Sequence, residues 1–185
     1  MGKPNIIRHP LYRNVLERKG RLLDYGSGTG DDIRALIEDG YPKSRITAYD
    51  VNWDSINLGF DLYLDEERLQ GIFVVSKEFP FGPREFDAVY SGSVLHGFEE
   101  IEEMTGYLKN ALEALVEKGL LFGSTVGADE PVPKGDEGFP PTPLLERQLR
   151  QLLERSGFKD LKISRTEEES AGRPKYRFWF SGIRP

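Results

Sequence analysis

Short runs of β-branched and aromatic residues alternate along the chain with longer stretches in which apolar positions return every three or four residues. This alternation predicts a parallel sheet covered by helices on both faces. Strands are expected at residues 21–25, 46–50, 72–75, 86–91 and 119–126. The segments 31–38 and 53–58 carry the helical period. The longest helix is expected over 99–118, where Ile101, Met104, Leu108, Leu112 and Leu115 form one apolar stripe and Gly119 supplies a stop. Residues 142–156 predict another helix, with Leu145, Leu149 and Leu152 on one side, Pro140, Pro141 and Pro143 before it and Gly157 as its cap.

Towards the C-terminus the rhythm changes. Residues 159–165 and 176–182 are both strand-like, and only a polar stretch containing Glu167, Glu168 and Glu169 lies between them. A parallel crossover needs a dozen or more residues, usually a helix, so these two strands are expected to pair antiparallel. The run Tyr176-Arg177-Phe178-Trp179-Phe180 reads as a strand buried on both faces rather than as a base-stacking surface. The irregular stretch 127–141 follows a strand end and reads as either a lid or a surface loop.

A chain of 185 residues with 38% hydrophobic content bounds the protein to one domain, 1–185, with room for a core. No cysteine is present, which excludes a disulfide framework, a thiolate nucleophile and cysteine-ligated metal. With two histidines, no metal site is expected. Apolar runs are only a few residues long, and none follows the opening Met1-Gly2-Lys3-Pro4-Asn5. Neither a signal peptide nor a membrane span is therefore expected, and a cytoplasmic location is the default. The formal charge of -6 gives no broad attraction for nucleic-acid backbones.

The chemistry concentrates in Leu22-Leu23-Asp24-Tyr25-Gly26-Ser27-Gly28-Thr29-Gly30, which puts three glycines between a strand and a helix. Without Cβ atoms the backbone turns sharply and a ligand can sit almost against it. Asp50 ends the next strand about twenty residues on, a spacing suited to holding ribose hydroxyls, because an ionised carboxylate offers only acceptors. Asp31 and Asp32 occupy the first helical positions, where a pyrophosphate would want bare N–H groups. Two carboxylates there either repel phosphate and favour a cationic amine or simply cap the helix dipole, and no Walker lysine follows the glycines.

These residues resemble the first motif of the class I S-adenosylmethionine-dependent methyltransferases, of the small, single-domain type 11/12 kind. Thr47-Ala48-Tyr49-Asp50-Val51-Asn52 is similar to the second motif. Phe79-Pro80-Phe81, with Phe86-Asp87-Ala88-Val89-Tyr90-Ser91 after it, is similar to the stretch leading into the fourth strand. Leu152-Leu153-Glu154-Arg155-Ser156-Gly157-Phe158 and the closing strand pair also fit. The resemblance implies a doubly wound, seven-stranded Rossmann-like α/β sheet of order 3-2-1-4-5-7-6, mostly parallel with an antiparallel C-terminal pair. It further implies S-adenosyl-L-methionine as cofactor, with Asp24, Tyr25, Gly26, Ser27, Gly28 and Gly30 around the methionine part and Asp50 on the ribose. Val51 and Trp53 would border the adenine. The family often has a polar residue, usually aspartate, after the third strand; here Val74-Val75-Ser76-Lys77-Glu78 lacks it, and Ser76 is the substitute.

A sulfonium methyl group is already activated, so the expected reaction is in-line transfer to an oxygen or nitrogen nucleophile of a small molecule, with a partner subunit as an alternative source of docking surface. His96, just past the fourth strand, is the candidate acid-base residue, against a structural or capping role. Ser91, Ser93 and Tyr90 flank the same crevice, and Ser91 is taken as a cofactor contact. Residues 1–20 are read either as a cover over the pocket, through Arg8, His9 or Tyr12, or as a surface tail. Two other readings share the glycines and Asp50: a non-catalytic cofactor-binding domain and an NAD-dependent oxidoreductase.

Overall fold

The computed structural model describes residues 4–133, 135–136, 138–168 and 174–185. Its strands are β1 (Leu22–Tyr25), β2 (Ile46–Asp50), β3 (Phe73–Val75), β4 (Phe86–Gly92), β5 (Leu115–Gly127), β6 (Lys159–Glu168) and β7 (Lys175–Ile183). They form one sheet of order β3-β2-β1-β4-β5-β7-β6. The first five run parallel, while β7 lies antiparallel to both β5 and β6. The expected sheet and its order are those observed.

Side-chain chemistry explains why β7, last in sequence, sits inside the sheet. Phe178, Trp179 and Phe180 are all buried and need cover on both faces. β6 is rich in Lys, Arg, Asp and Glu and mostly exposed, which suits an edge and discourages further strand pairing.

Among the described residues six α-helices flank the sheet: α1 (Tyr12–Arg18), α2 (Asp31–Glu38), α3 (Trp53–Tyr63), α4 (Glu66–Leu69), α5 (Ile101–Ala114) and α6 (Glu146–Arg155). One face packs Met104 and Leu108 of α5 and Leu149 and Leu153 of α6 against Val89, Leu121 and Phe180. The other packs Val15, Leu36 and Ile56 against Leu22, Tyr90 and Phe122. Alternation along β4, with Val89 on one face and Tyr90 on the other, is the period-two signature of a strand buried on both sides.

Several boundaries differ from expectation. The helix expected to reach Lys118 ends at Ala114, and Leu115 is already extended and paired with Phe86. Leu115 satisfies both the helical stripe and the strand, so sequence period cannot choose. Arg84 and Glu85 decide the boundary by donating their backbone N–H groups to the Glu113 and Ala114 carbonyls at 2.9 and 2.8 Å. Gly119 therefore lies within β5 and stops nothing. The helix expected from Thr142 starts at Glu146, because Leu144 is held extended beside Gly127 and Gln148 Oε1 accepts the Leu145 N–H at 2.8 Å. Gly157 follows α6 in the left-handed region, φ +103°, as a helix-terminating glycine does. The helix expected over 53–58 continues to Tyr63.

The N-terminal segment is not a surface tail. Ile6 is fully buried, Tyr12 begins α1, and His9 is only 5% exposed. The His9 ring donates from Nε2 to the Phe180 carbonyl at 3.1 Å and accepts the Leu11 N–H at Nδ1. Met1 to Lys3 and Glu169 lie outside the described residues, as do Lys134 and Glu137 of the stretch 127–141. Among the described residues no helix is long and apolar enough to cross a membrane.

Candidate functional site

The turn after β1 hangs from β2. Gly26 and Ser27 both donate their N–H groups to the Tyr49 carbonyl, at 2.8 and 3.0 Å, and Gly30 closes back onto the Ser27 carbonyl at 2.8 Å. Gly26 has φ +85°, and a Cβ there would stand 2.5 Å from Val94 Cγ2. Gly28 has φ +53° and nothing within 4 Å of where its Cβ would be, so the turn presents bare backbone to open space. Gly30, φ +76°, is the residue before α2 and packs on Phe73.

Asp50 clamps this turn. Its Oδ2 accepts the Gly28 N–H at 2.8 Å and its Oδ1 accepts the Asn52 N–H at 2.9 Å. Each carboxylate oxygen retains a lone pair for a ligand hydroxyl.

Beneath the turn are two buried oxygens without partners, Asp24 Oδ2 and Ser27 Oγ. An orphaned buried oxygen costs free energy that a ligand donor would recover. Burial, with Asp32 and Asp50 nearby, pushes the Asp24 carboxyl well above the usual carboxylate range. Burial also raises Asp32, against the pull of the Ile6 N–H, which donates to its Oδ1 at 2.9 Å. A cluster of this kind accepts an ammonium group and disfavours an anion.

Alongside lies a cavity of about 530 Å³, bordered by Tyr25, Gly26, Tyr49, Asp50, Val51 and Val94 and walled by Phe79, Phe98 and Tyr107. Tyr25 stacks on Tyr107 with ring centroids 3.8 Å apart, and Phe79 stands 4.9 Å from Tyr25. The Tyr107 hydroxyl lies 2.8 Å from the Tyr25 carbonyl and 2.9 Å from Ser91 Oγ. Having one proton, it donates to the carbonyl and accepts from the serine.

Several sequence candidates thus converge: Tyr25, Gly26, Asp50 and Val51 border the cavity, with Asp24 and Ser27 buried under the turn and Gly28 bound to Asp50. Others do not reach it. Ser91 is fully buried and spends its hydroxyl on Tyr107. Ser76 accepts the Glu78 N–H at 3.2 Å and is not among the lining residues. His96 is also not among them. Its Nδ1 accepts the Val126 N–H at 3.0 Å and lies 3.1 Å from Thr125 Oγ1, so the ring proton sits on Nε2. Burial, then the Arg177 cation, pushes the ring down to about 4, which keeps it neutral at pH 7.

No described residue of the N-terminal segment is among those that border the cavity. Arg8 lies over Trp179, and the Tyr12 hydroxyl donates to Asp39 Oδ2 at 2.6 Å. Asn5 touches one bordering residue, with Nδ2 3.3 Å from Ser93 Oγ. Ser93 borders the cavity, is left-handed at φ +62°, and also receives Arg177 Nη1 at 2.7 Å. Phe98, Glu103, Tyr107 and Asn110 were not legible as site residues. Their one sequence signal is that Glu103, Tyr107 and Asn110 recur at four and three residue steps, a single helical face that is not the apolar stripe.

A family model described as a methyltransferase domain matches residues 4–163. The chain belongs to the methyltransferase-domain family. Among curated proteins it is similar to methyltransferase ausD of Penicillium brasilianum, 33% identical over 122 residues, covering 60% of this chain and 43% of the relative. It is also similar to O-methyltransferase atr3 of Stereocaulon alpinum, 30% identical over 146 residues, 67% of this chain and 40% of that one. The chain thus spans less than half the length of these relatives. Among solved structures, a SAM-dependent methyltransferase of Methanosarcina mazei matches with TM-score 0.72 and 18% identity over 94% of this chain and 97% of that chain. Phosphoethanolamine N-methyltransferase 2 of Haemonchus contortus, solved with S-adenosyl-L-methionine, matches with TM-score 0.71 and 15% identity over 94% and 52%. At such identity these two show a shared fold.

Proposed function

We propose that this methyltransferase domain binds S-adenosyl-L-methionine at the C-terminal ends of β1, β2 and β4 and transfers its methyl group to an oxygen or nitrogen nucleophile of a small molecule. The carrying observation is the pair of buried, unpartnered oxygens, Asp24 Oδ2 and Ser27 Oγ, under a glycine turn clamped by Asp50. Asp24 would take the ammonium group of the methionine part, and Asp50 the ribose hydroxyls. Val51 and the aromatic walls would enclose the adenine.

The bound sulfonium supplies an activated methyl group, so the chain's task is placement and exclusion of water. Ser93, held by Asn5 and Arg177, borders the cavity beside the glycine turn and could orient an acceptor there. His96 fits a positioning role, because its acceptor nitrogen is committed to β5. Similarity to atr3, an O-methyltransferase, supports an oxygen acceptor.

Calorimetric titration with S-adenosylmethionine, S-adenosylhomocysteine and NAD tests the reading. Micromolar binding of the first two, weakened in Asp50→Ala, supports it and justifies screening methyl acceptors. Binding of NAD alone, or of none of the three, overturns it.

A further inference from the structure

The glycine turn is held from the sheet and from behind. On the sheet side, Tyr49 and Asp50 fix Gly26, Ser27 and Gly28 through hydrogen bonds. Behind it lies α3, where Gly59 is buried in mid-helix and the Thr29 backbone presses onto it. A Cβ on Gly59 would stand 2.2 Å from the Thr29 carbonyl oxygen and 2.9 Å from its carbon, closer than real Cβ contacts come. Glycine weakens a helix interior relative to alanine, and this close approach is what requires it here. Gly106 of α5 is the contrast, exposed and with nothing within 4 Å of where its Cβ would be. The Thr29 carbonyl also accepts Arg34 Nη1, and the Arg34 guanidinium lies 4.3 Å from the centre of the Tyr63 ring. The Tyr63 hydroxyl donates to Asp31 Oδ1 at 2.6 Å, so α3 meets the turn at Gly59 and the start of α2 at Tyr63.

A peptide group is planar, with its N–H opposed to its C=O, so fixing the Thr29 carbonyl also aims the Gly30 N–H. That N–H closes the turn on the Ser27 carbonyl at 2.8 Å, and Ser27 Oγ is a buried oxygen without a partner. We propose that Gly59 is a positioning residue for the cofactor: by admitting the Thr29 carbonyl against α3, it sets the peptide that holds Ser27 where the methionine part binds. The inference rests on the cofactor reading above and deepens it. Neither Gly59 nor Tyr63 borders the cavity, so the effect travels through the backbone of Thr29 and Gly30.

The test is calorimetry with S-adenosylhomocysteine on the unmutated protein, Gly59→Ala and Gly106→Ala, each titrated well below its melting temperature, with thermal melts alongside. Alanine suits a helix better than glycine at both places, and only at Gly59 does the added methyl meet the turn. Gly59→Ala should bind the probe about tenfold or more weakly, as for the loss of one hydrogen bond to a charged ligand, while Gly106→Ala stays within about twofold. A merely structural role for Gly59 would lower the melting temperature and leave the affinity of the folded protein unchanged; that result overturns the assignment and leaves the cofactor reading intact. Should Gly59→Ala not fold, Tyr63→Phe takes its place, because it keeps the ring beside Arg34 and releases Asp31. It should bind about threefold more weakly, and unchanged affinity there likewise overturns the assignment. Failure of the unmutated protein to bind the probe overturns both readings.

Discussion

Asp50 Oδ2 accepts the Gly28 N–H at 2.8 Å, so the carboxylate that ends β2 also fixes the glycine turn that ends β1. One side chain therefore sets the shape of the loop and offers the acceptors beside it. Asp50→Ala removes both, and affinity for S-adenosylhomocysteine should fall about 100-fold, the equivalent of one or two hydrogen bonds to a charged group. Asp50→Asn keeps an oxygen for Gly28 and should lose less. Calorimetry on both variants, with circular dichroism as a check on folding, decides it; equal losses would show that the clamp is irrelevant.

Asp24 makes cofactor binding a proton-linked event. Its carboxyl is held well above the ordinary range by burial and by Asp32 and Asp50, and a bound ammonium group would favour its charged form, so binding releases a proton wherever the free carboxyl is still protonated. Affinity should rise as pH climbs through the Asp24 titration. Titrations in buffers of different ionisation enthalpy should then show proton release, and Asp24→Asn should abolish it. No buffer dependence in the unmutated protein would contradict the ammonium assignment.

His9 contributes to acid lability. Burial pushes the ring down to about 4 from 6.5, so between those values the unfolded chain binds the proton that the folded one refuses. Stability is retained above pH 6.5 and lost as pH falls towards 4, by up to about 3 kcal/mol from this residue. Asp24 works in the opposite sense, because its raised value favours the folded state at lower pH. Comparing urea midpoints of the unmutated protein and His9→Gln across pH 4 to 7 isolates the histidine, and the variant should show the shallower decline.

Arg34 ties the glycine turn to α4. Its guanidinium is 4% exposed, bonds Asp65 Oδ1 at 2.7 Å, reaches the Thr29 carbonyl and lies 4.3 Å from the Tyr63 ring centre. Arg34→Ala leaves Asp65 without its main partner and should cost about 3–5 kcal/mol. Replacing both members, as in Arg34→Met with Asp65→Leu, should recover part of that. Thermal melts of the single and double variants measure the difference, and equal melting temperatures would refute the coupling.

Much of this molecule follows from local pattern. Strand and helix periods, the short polar link between β6 and β7, and the spacing from Gly26 to Asp50 are properties of neighbouring residues, and each constrains the backbone before any distant contact forms. The chemistry of β7 against β6 even indicates which must be interior. That is why the strands, their antiparallel C-terminal pair and the glycine turn were legible from local pattern, while the order of the strands was implied by the resemblance to a known family.

Other features depended on partners far away in sequence. Leu115 suits a helix and a strand equally, and only pairing with Phe86 and capping by Arg84 and Glu85 ended α5 before it. His96 looks the same in sequence whether it is a base or a brace; the Val126 N–H commits its acceptor nitrogen. Glu103, Tyr107 and Asn110 became a cavity wall because α5 packs across β1 and brings Tyr107 onto Tyr25. Periodicity determines which face a helix shows, whereas the neighbour that face meets, and so the protonation and reach of its polar groups, is decided by long-range packing.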